Sequence, residues 1–189
     1  VDSVSDLGPL HNPANLTGVR AFKKALPNVV QVGVFDTSFH LTMPDESYMY
    51  AVPYEWYEKH HIRKYGFHGT SHNFVCHEAI KFGQLKDDAK VIVCHLGNGA
   101  SVSAIKNGKC VDTTMGLTPL DGFMMGTRTG TLDPSALTFI AEKENLSPAD
   151  INRICNKESG TLGVSCLTND NRDLVDAAAA GNEKAALAL

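Results

Sequence analysis

One arginine, Arg128, lies between two pairs of glycine and threonine, in residues 126–130 (GTRTG). The chain has no other arginine between Arg63 and Arg153. A guanidinium on a glycine-flanked loop suits a phosphate or a carboxylate, because its planar fork makes paired, charge-assisted hydrogen bonds. The alternative is a solvated surface arginine that contributes little.

Glycine is concentrated in one part of the chain, since seven of its sixteen glycines lie between positions 97 and 130. Residues 95–99 (HLGNG) form a predicted turn between two strands, where glycine allows backbone conformations closed to other residues. The amides of such a turn can converge on phosphate oxygens. The spacing is neither that of a P-loop nor G-x-G-x-x-G, and an ordinary hairpin turn is the alternative. The candidate phosphate-binding residues are His95, Leu96, Gly97, Asn98 and Gly99.

Two further candidates, Asp36 and His68, stand next to predicted regular elements. Asp36 follows the apolar residues 29–35, which we predict to be a buried strand, and open α/β sheets bind ligands beyond the carboxyl ends of their strands. A turn-initiating aspartate before Thr37 is the alternative. His68 lies in residues 66–71 (GFHGTS), directly before a predicted helix, so its imidazole would face the end of that helix that favours anions.

Other histidines and one helix start give weaker signals. His68 and His72 are spaced i, i+4, with His60, His61 and His77 nearby, which leaves a zinc site as an alternative. Neither an H-E-x-x-H pattern nor a cysteine ligand set supports that alternative. Residues 170–172 (DNR) begin a predicted helix, and by themselves they are typical of an ordinary N-terminal cap.

Helices that alternate with short apolar strands must position these residues, a pattern typical of α/β proteins. Strands are predicted at residues 29–35, 90–95, 101–105 and 109–113, the first two of them buried and the last two joined by a hairpin at Asn107-Gly108. Helices are predicted from residue 12, near Pro53 and Ser71, and from Asp133, Ser147 and Asn171. We expect a capping box between Ser147 and Asp150, and a break at Gly181 in the last helix.

The composition is that of a soluble globular chain, with 43% hydrophobic and 20% charged residues among 189. The net charge of -4 and the pI near 6.0 exclude a surface that binds nucleic acid through many basic residues. No apolar run approaches the roughly 20 residues that cross a bilayer, and the first residues show no secretory signal. The five cysteines form no C-x-x-C pair and lie mostly in apolar segments, which predicts buried free thiols in a reducing cytoplasm.

Four segments follow one another in the order found in one protein family. They are residues 34–40 (VFDTSFH), 65–72 (YGFHGTSH), 95–103 (HLGNGASVS) and 115–128 (MGLTPLDGFMMGTR). Together they closely resemble the acetate kinase (acetokinase) family, which includes propionate kinases, over residues 9–172. One departure follows Arg128, where the family usually has Ser-Gly-Asp and this chain has Thr129-Gly130-Thr131, so we expect altered hydrogen bonds in that loop.

The resemblance implies a two-domain α/β fold of the actin, sugar kinase and Hsp70 type, with ribonuclease H-like domains around a cleft. Residues 1–38 would be the end of the N-terminal domain, and residues 39–189 an incomplete C-terminal domain on the nucleotide side. The implied reaction is the reversible transfer of the ATP γ-phosphate to acetate, giving acetyl phosphate and ADP, with Mg²⁺ or Mn²⁺ as cofactor. Propionate or butyrate as the acid is one alternative, and a non-catalytic nucleotide-binding relative is another.

The resemblance also implies the setting of the reaction. We expect a cytoplasmic enzyme of acetyl-CoA synthesis and organic acid metabolism, homodimeric at full length, that binds neither nucleic acid nor membrane. Family chains are about twice as long as this one. We therefore expect this stretch to lack the strand that faces Mg²⁺ and phosphate, an upstream substrate-binding arginine, the adenosine-binding glycine motif and a late glutamate near the metal. Alone, it should be inactive and poorly stable or aggregating.

The same resemblance gives each candidate residue a role. Asp36 matches the active-site aspartate, and His68 and Arg128 match two residues that stabilise the transition state. Residues 95–99 match the phosphate-binding loop. Further matches are the nucleotide-contacting Asp170, Asn171 and Arg172, and Leu10, Phe67 and Pro119, which line a pocket for the methyl group of acetate. Because a small carboxylic acid with a pKa of about 4 to 5 is already ionised at neutral pH, we expect Asp36 to position Mg²⁺ or its water shell rather than to abstract a proton.

Overall fold

The computed structural model describes residues 2, 5, 12–86 and 88–189. Helices and strands are mixed in this part of the chain, as the α/β class requires. The strands are β1 (Lys90–Leu96), β2 (Ala100–Lys106) and β3 (Lys109–Thr113). The α-helices are α1 (Asn12–Ala25), α2 (Asp45–Tyr48), α3 (Tyr54–His60), α4 (Gly69–Phe82), α5 (Pro134–Glu144), α6 (Pro148–Lys157), α7 (Gly160–Ser165), α8 (Asn171–Ala179) and α9 (Glu183–Ala188), and a 3-10 helix (Ser38–Thr42) lies between α1 and α2 in sequence.

The three strands form one antiparallel sheet in the order β1-β2-β3. Leu96 pairs with Ala100 across the first turn, so residues 97–99 join β1 to β2 directly. Asn107 and Gly108 join β2 to β3 with φ angles of 55° and 70°. Two consecutive positive φ angles are what the tightest hairpin turns need. The predicted hairpin and the predicted turn at residues 95–99 are therefore confirmed.

The core has two clusters next to this sheet. Cys76 of α4, Val93 of β1 and Ile105 of β2 form the first, so α4 packs against one face of the sheet. Ala100, Met115 and Met125 form the second. These clusters fix α4 and the loops after β3 relative to the sheet, because buried apolar contacts are the main source of stability.

Helix starts lie where the capping residues predict them. Asp133 accepts the amide of Ser135, and Ser147 and Asp150 form the expected capping box. Asp170 accepts the amide of Arg172 at the start of α8. The last helix breaks at Gly181, where φ is 93°, before α9 begins. Side chains that satisfy the free amides of a first turn are strong local signals, which is why these starts could be predicted.

The predicted strand at residues 29–35 is wrong. This segment has no regular secondary structure, and its valines are exposed, Val30 at 86% and Val32 at 82%. Among the residues that the structure describes, none pairs with it in a β-ladder. A single strand without hydrogen-bonded neighbours is not stable, so apolar composition alone does not produce one.

β1 forms as predicted but is not buried as predicted. Val93 is its one buried residue, whereas Ile92 is 72% exposed and Leu96 is 74% exposed. The strand is at the edge of the sheet, and α4 covers one face, so alternate side chains point away from the core.

The predicted burial of the thiols is correct for Cys76, Cys110 and Cys155 and wrong for Cys94 and Cys166, and all five cysteines are free. Cys94 is exposed because it follows the buried Val93 on β1 and therefore points to the opposite face. Within the described ranges no helix is long and apolar enough to cross a membrane.

Candidate active site

Asp36 is bonded to the start of α4 through two hydrogen bonds. Its Oδ2 accepts the amide N–H of His68 at 2.6 Å, and its carbonyl accepts the amide N–H of Gly69 at 2.9 Å. A Cβ at Gly69 would overlap the carbonyl oxygen of Asp36, so this close approach requires glycine. The carboxylate therefore lies at the amino-terminal end of the helix, although no strand precedes it.

The ring of His68 contacts the ring of His95 and the hydroxyl of Ser101. It stacks on His95 with ring centroids 4.0 Å apart and planes 20° apart. Its Nδ1 lies 2.8 Å from Oγ of Ser101, and Nδ1 of His95 lies 2.9 Å from Oγ of Ser71. Burial, followed by the neighbouring His95, lowers the pKa of His68 below its ordinary 6.5. His68 is therefore neutral at neutral pH.

Two buried histidines lie beneath His68. His72 has no exposed surface, and its Nε2 is 2.7 Å from Oγ of Ser101. Burial and the neighbouring His40 lower the pKa of His72 to about 4. His40 is equally buried; its Nε2 donates to the carbonyl of Phe67 at 2.9 Å, and its Nδ1 is 3.2 Å from Sγ of Cys110. The hydrogen bond to Phe67 fixes the backbone that carries His68, which has a positive φ of 59°.

The loop that carries Arg128 is bonded to the end of α6 and the start of α7. Amides of Thr161 and Leu162 donate to the carbonyls of Met125 and Gly126, both at 3.0 Å, which satisfies free N–H groups of the first turn of α7. Two more bonds close the loop, from Ser159 N to Thr127 O at 3.1 Å and from Thr129 N to Cys155 O at 3.0 Å. Gly160 makes this contact possible: its φ is 66°, and a Cβ there would overlap the carbonyl oxygen of Met125.

The guanidinium of Arg128 is half-buried, and its Nη1 donates to the carbonyl of Pro119 at 3.2 Å. No carboxylate in the described part of the chain pairs with it. A Cβ built on Gly99 would lie 3.2 Å from Nη1 of Arg128 and 3.5 Å from Nε2 of His68. The two nitrogens therefore face the same small space beside the 97–99 turn, which leaves a cation and a neutral imidazole available to an anion.

The turn at residues 97–99 also approaches the start of α8. A Cβ on Gly126 would lie 3.2 Å from Oδ1 of Asn98 and 3.4 Å from Cβ of Asn169. The turn, the Arg128 loop and the segment before α8 are thus neighbours. Next in sequence, Asp170 caps α8 and its Oδ2 pairs with Nη2 of Arg172 at 2.6 Å. These hydrogen bonds lower the pKa of Asp170 to about 2.

The structure describes two of the three residues that the family resemblance predicts for the methyl pocket. Phe67 packs against the cluster of Ala100, Met115 and Met125. Pro119 is next to Arg128, as described above, and Leu10 lies outside the described residues. The structure thus brings Phe67 and Pro119 to the loops that hold His68 and Arg128.

The departure after Arg128 has a local hydrogen-bond network of its own. Thr131 donates from Oγ1 to Oδ1 of Asp121 at 2.6 Å and accepts the amide of Gly122 at 3.2 Å. Tyr50 donates to the other oxygen of Asp121 at 3.4 Å. The hydroxyl of Thr131 therefore links the loop to Asp121.

Three residues in this site were not singled out from the sequence. Ser101 lies on β2 with its hydroxyl fully buried, so a polar residue at an inward position of a strand was the signal for it. His40 ends the 34–40 segment, but nothing local indicates its burial. For Gly160, the signal was a glycine at the first position of a short apolar helix.

The donor set agrees with weak binding of Mg²⁺ and not with a metal cage. Among the described residues no three histidines, cysteines or acids are grouped to hold a metal. Asp36 offers one exposed carboxylate with one oxygen engaged by an amide. Mg²⁺ commonly keeps several waters and binds through one or two carboxylates plus substrate phosphates, so a lone carboxylate fits it.

Comparison with known proteins finds similar sequences in one family. The model of the acetokinase family matches residues 1–189. An acetate kinase from Bacteroides thetaiotaomicron is 59% identical over 185 residues, which are 97% of this chain and 46% of that protein. The chain thus spans about half the length of the relatives it matches.

Solved structures give the same result. The crystal structure of Porphyromonas gingivalis acetate kinase superposes with a TM-score of 0.94 at 52% identity, over 99% of this chain and 47% of that one. A propionate kinase from Francisella tularensis gives a TM-score of 0.93 at 49% identity, over 99% and 48%. The predicted fold class, that of the actin and sugar kinase type, is confirmed over the stretch compared.

Proposed function

The chain belongs to the acetokinase family, and from that membership we propose that it is part of a kinase that transfers the γ-phosphoryl group of ATP to acetate. The products are acetyl phosphate and ADP, and the reaction is reversible. One observation carries the proposal: Nη1 of Arg128 and Nε2 of His68 face one space beside the 97–99 turn. The acetate kinase of 59% identity supports acetate as the acid.

Phosphoryl transfer needs alignment and stabilisation of negative charge more than it needs covalent chemistry. Arg128 supplies a permanent charge, and Pro119 orients its fork by accepting one of its hydrogens. His68 supplies a neutral donor to an oxygen of the transferred group. The amides of residues 97–99 bind the phosphates of the nucleotide, and residues 170–172 contact the rest of it. Preorganised donors of this kind act without reorganisation during the reaction.

Asp36 would hold Mg²⁺ through its water shell. When bound, Mg²⁺ supplies positive charge to the phosphate oxygens. Mn²⁺ would serve as a substitute. The amide of His68 donates to Oδ2 of Asp36, and this hydrogen bond leaves Oδ1 of the carboxylate uninvolved. Because acetate is already ionised, Asp36 has no proton to remove from it.

The organisation of the whole enzyme follows from the same proposal. Residues 1–38 would end an N-terminal domain, and residues 39–189 would belong to the domain that binds nucleotide. The full-length enzyme would be a cytoplasmic homodimer. Phe67 packs against the cluster that contains Met125, and both the sulfur of Met125 and the carbonyl of Pro119 accept from Nη1 of Arg128, which supports a pocket for the methyl group in this region.

Acyl-hydroxamate formation tests this function. The full-length protein is incubated with ATP, Mg²⁺ and hydroxylamine together with acetate, propionate or butyrate. We expect acetate to give the highest kcat/KM, since one methylene in a pocket changes the transition-state free energy by about 1 to 3 kcal/mol. A preference for propionate would favour the second candidate, which the propionate kinase of 49% identity supports. No product with any of the acids would contradict the proposal.

A further inference from the structure

Ser101 lies between two imidazoles. Its Oγ is 2.8 Å from Nδ1 of His68 and 2.7 Å from Nε2 of His72, and the serine is fully buried. A hydroxyl has one proton, so it donates to one ring and accepts from the other unless both rings donate to it. The direction of these two hydrogen bonds therefore decides which nitrogen of His68 carries the proton.

The environment of His72 shows which atom donates in its hydrogen bond with Ser101. Its Nδ1 is buried and has no hydrogen-bond partner among the described residues. If Ser101 donated to Nε2 of His72, the proton of the neutral ring would be on Nδ1, as a buried N–H without an acceptor. Buried unpaired N–H groups are rarer than buried unpaired lone pairs. His72 therefore donates from Nε2 and keeps a lone pair on Nδ1.

The hydroxyl of Ser101 then decides the tautomer of His68. If His68 also donated from Nδ1, the proton of Ser101 would have no acceptor, because the structure gives this hydroxyl no third partner in the described ranges. The remaining arrangement gives every proton in these two contacts an acceptor: Ser101 accepts from Nε2 of His72 and donates to Nδ1 of His68. The proton of His68 is then on Nε2.

The two rings are neutral, which this arrangement requires. The pKa values of His68 and His72 lie below their ordinary value because both rings are desolvated and flanked by other histidines. The neighbouring His40 is fixed independently, since its Nε2 must donate to the carbonyl of Phe67. Its hydrogen bond supports the backbone of His68 and does not compete for Ser101.

We propose that His72 and Ser101 form a buried relay that holds His68 in its Nε2–H tautomer and so presents a hydrogen-bond donor to the phosphoryl group. This rests on the proposed function only for the identity of the acceptor. His72 and Ser101 are positioning residues, because they act through His68. The Nε2 atom that they protonate is the one that faces Gly99 and the guanidinium of Arg128.

Neutron diffraction from deuterated crystals of the full-length protein tests the relay directly. We expect deuterium on Nε2 of His68 and on Nε2 of His72, with the Ser101 deuterium directed at Nδ1 of His68. Deuterium on Nδ1 of His68 would overturn the proposal. The result does not depend on activity, so a protein with the expected tautomers and no kinase activity would contradict the proposed function alone.

A matched pair of serine variants tests the effect on turnover. Ser101→Ala removes the relay, whereas Ser103→Ala removes an equally buried hydroxyl of the same strand that bonds Thr113 at 2.9 Å. We expect Ser101→Ala to lower kcat by about tenfold or more, as is typical for residues that orient a functional histidine, with KM for both substrates unchanged. Ser103→Ala should leave kcat unchanged at a similar loss of thermal stability. Equal kcat in the two variants would contradict the relay.

A second pair covers the case in which Ser101→Ala fails to fold. His72→Gln keeps an amide donor near Ser101, and His72→Phe keeps the ring volume without a donor. We expect His72→Gln to retain more kcat than His72→Phe, by about tenfold. The reverse order would show that the volume of His72 matters and its donor does not.

Discussion

At the residue scale, Arg128 offers a planar fork of hydrogen-bond donors as well as a charge. Nη1, which donates to the carbonyl of Pro119, is also the nitrogen that lies beside Gly99. A lysine in its place keeps the charge but presents a single flexible ammonium. A comparison of arginine with lysine at position 128 therefore separates the effect of charge from the effect of geometric fit to a phosphoryl group.

We therefore predict that Arg128→Lys in the full-length enzyme lowers kcat by about a hundredfold, the effect expected when one preorganised donor to a transition-state anion is lost. The thermal-unfolding midpoint should change little, because no ion pair in the described residues involves Arg128. Steady-state kinetics and calorimetry measure the two quantities. Wild-type turnover in the lysine variant would contradict the role of the fork.

Asp36 gives a second prediction at this scale. If it holds the water shell of Mg²⁺, Asp36→Asn and Asp36→Ala should both raise the Mg²⁺ concentration needed for half-maximal rate, with the larger shift in the alanine variant. Asparagine keeps an oxygen that can bond to water and to the amide of His68, whereas alanine keeps neither. A titration of initial rate against Mg²⁺ measures this. Normal metal dependence in both variants, with a defect that excess Mg²⁺ never relieves, would rule out the metal role.

At the element scale, the position of Arg128 depends on how α6 and α7 meet. Backbone hydrogen bonds at Met125, Gly126, Thr127 and Thr129 hold most of the loop, and the hydroxyl of Thr127 adds a bond to the carbonyl of Asn156 at 2.9 Å. Backbone bonds of this kind tolerate changes of side chain but not a displacement of the helices. The close packing at Gly160 is therefore the sensitive point.

Gly160→Ala tests this packing against a matched control. Gly181 also has a positive φ, 93°, but a Cβ there would contact nothing within 4 Å. Gly181→Ala should cost about 1 to 2 kcal/mol of stability from backbone strain, and Gly160→Ala about 1 to 3 kcal/mol more because of the overlap with Met125. We also expect kcat to fall only for Gly160→Ala. Equal losses of stability and rate in the two variants would show that the contact is unimportant.

The packing of α4 on the sheet predicts a dependence of stability on pH. The fully buried His72 has its pKa lowered from 6.5 to about 4, first by burial and then by His40, His68 and His95, while Asp36 raises it slightly. Below pH 6.5 His72 becomes protonated in the unfolded chain, whereas in the folded chain it stays neutral until the pH falls to about 4. Stability is thus unaffected above pH 6.5 and falls by up to about 3 kcal/mol as the pH drops toward 4.

Unfolding midpoints of the full-length protein between pH 7 and pH 4 measure this loss. His72→Gln should flatten the acid limb of the stability profile, because the titrating group is gone. His77→Gln, an exposed histidine of the same helix, should leave the profile as it is in the wild type. A profile that is identical in all three proteins would exclude His72 as the source.

Local signals predicted the elements better than their burial. The hairpin at Asn107-Gly108 and the caps at Ser147 and Asp170 depend on residues close in sequence, so they could be read directly. The prediction of a strand at residues 29–35 failed because a strand forms only when it pairs with another strand, and the local sequence does not show whether such a partner is present. The family resemblance picked out His68 and Arg128, but the relay through Ser101 needs a contact between α4 and β2 that no spacing reveals.

At the scale of the whole molecule, large apolar side chains stay exposed in several places. Val30, Phe82 and Ile92 are exposed at 86%, 93% and 72%. Further exposed apolar residues are Phe22, Val32, Val34, Phe35, Phe74 and Phe139. Four of them lie within residues 30–35, and contiguous apolar surface is uncommon on soluble monomers and promotes association.

We predict that residues 1–189, expressed alone, self-associate and bind a hydrophobic dye such as ANS strongly. Size-exclusion chromatography with light scattering, together with ANS fluorescence, measures both properties, and the full-length protein is the control. A monomeric species that melts cooperatively and leaves ANS dark would contradict this prediction.

In the proposed enzyme, the hydrogen bond from Arg128 to the carbonyl of Pro119 would connect the choice of acid to the speed of the reaction. A change at position 119 that makes room for a longer acid also moves the acceptor that orients the guanidinium. Substitutions at position 119 that change the acid preference would therefore also lower the rate. In a library of variants at position 119, acceptance of longer acids and maximal rate should vary inversely, and a second substitution that re-anchors the guanidinium should restore the rate.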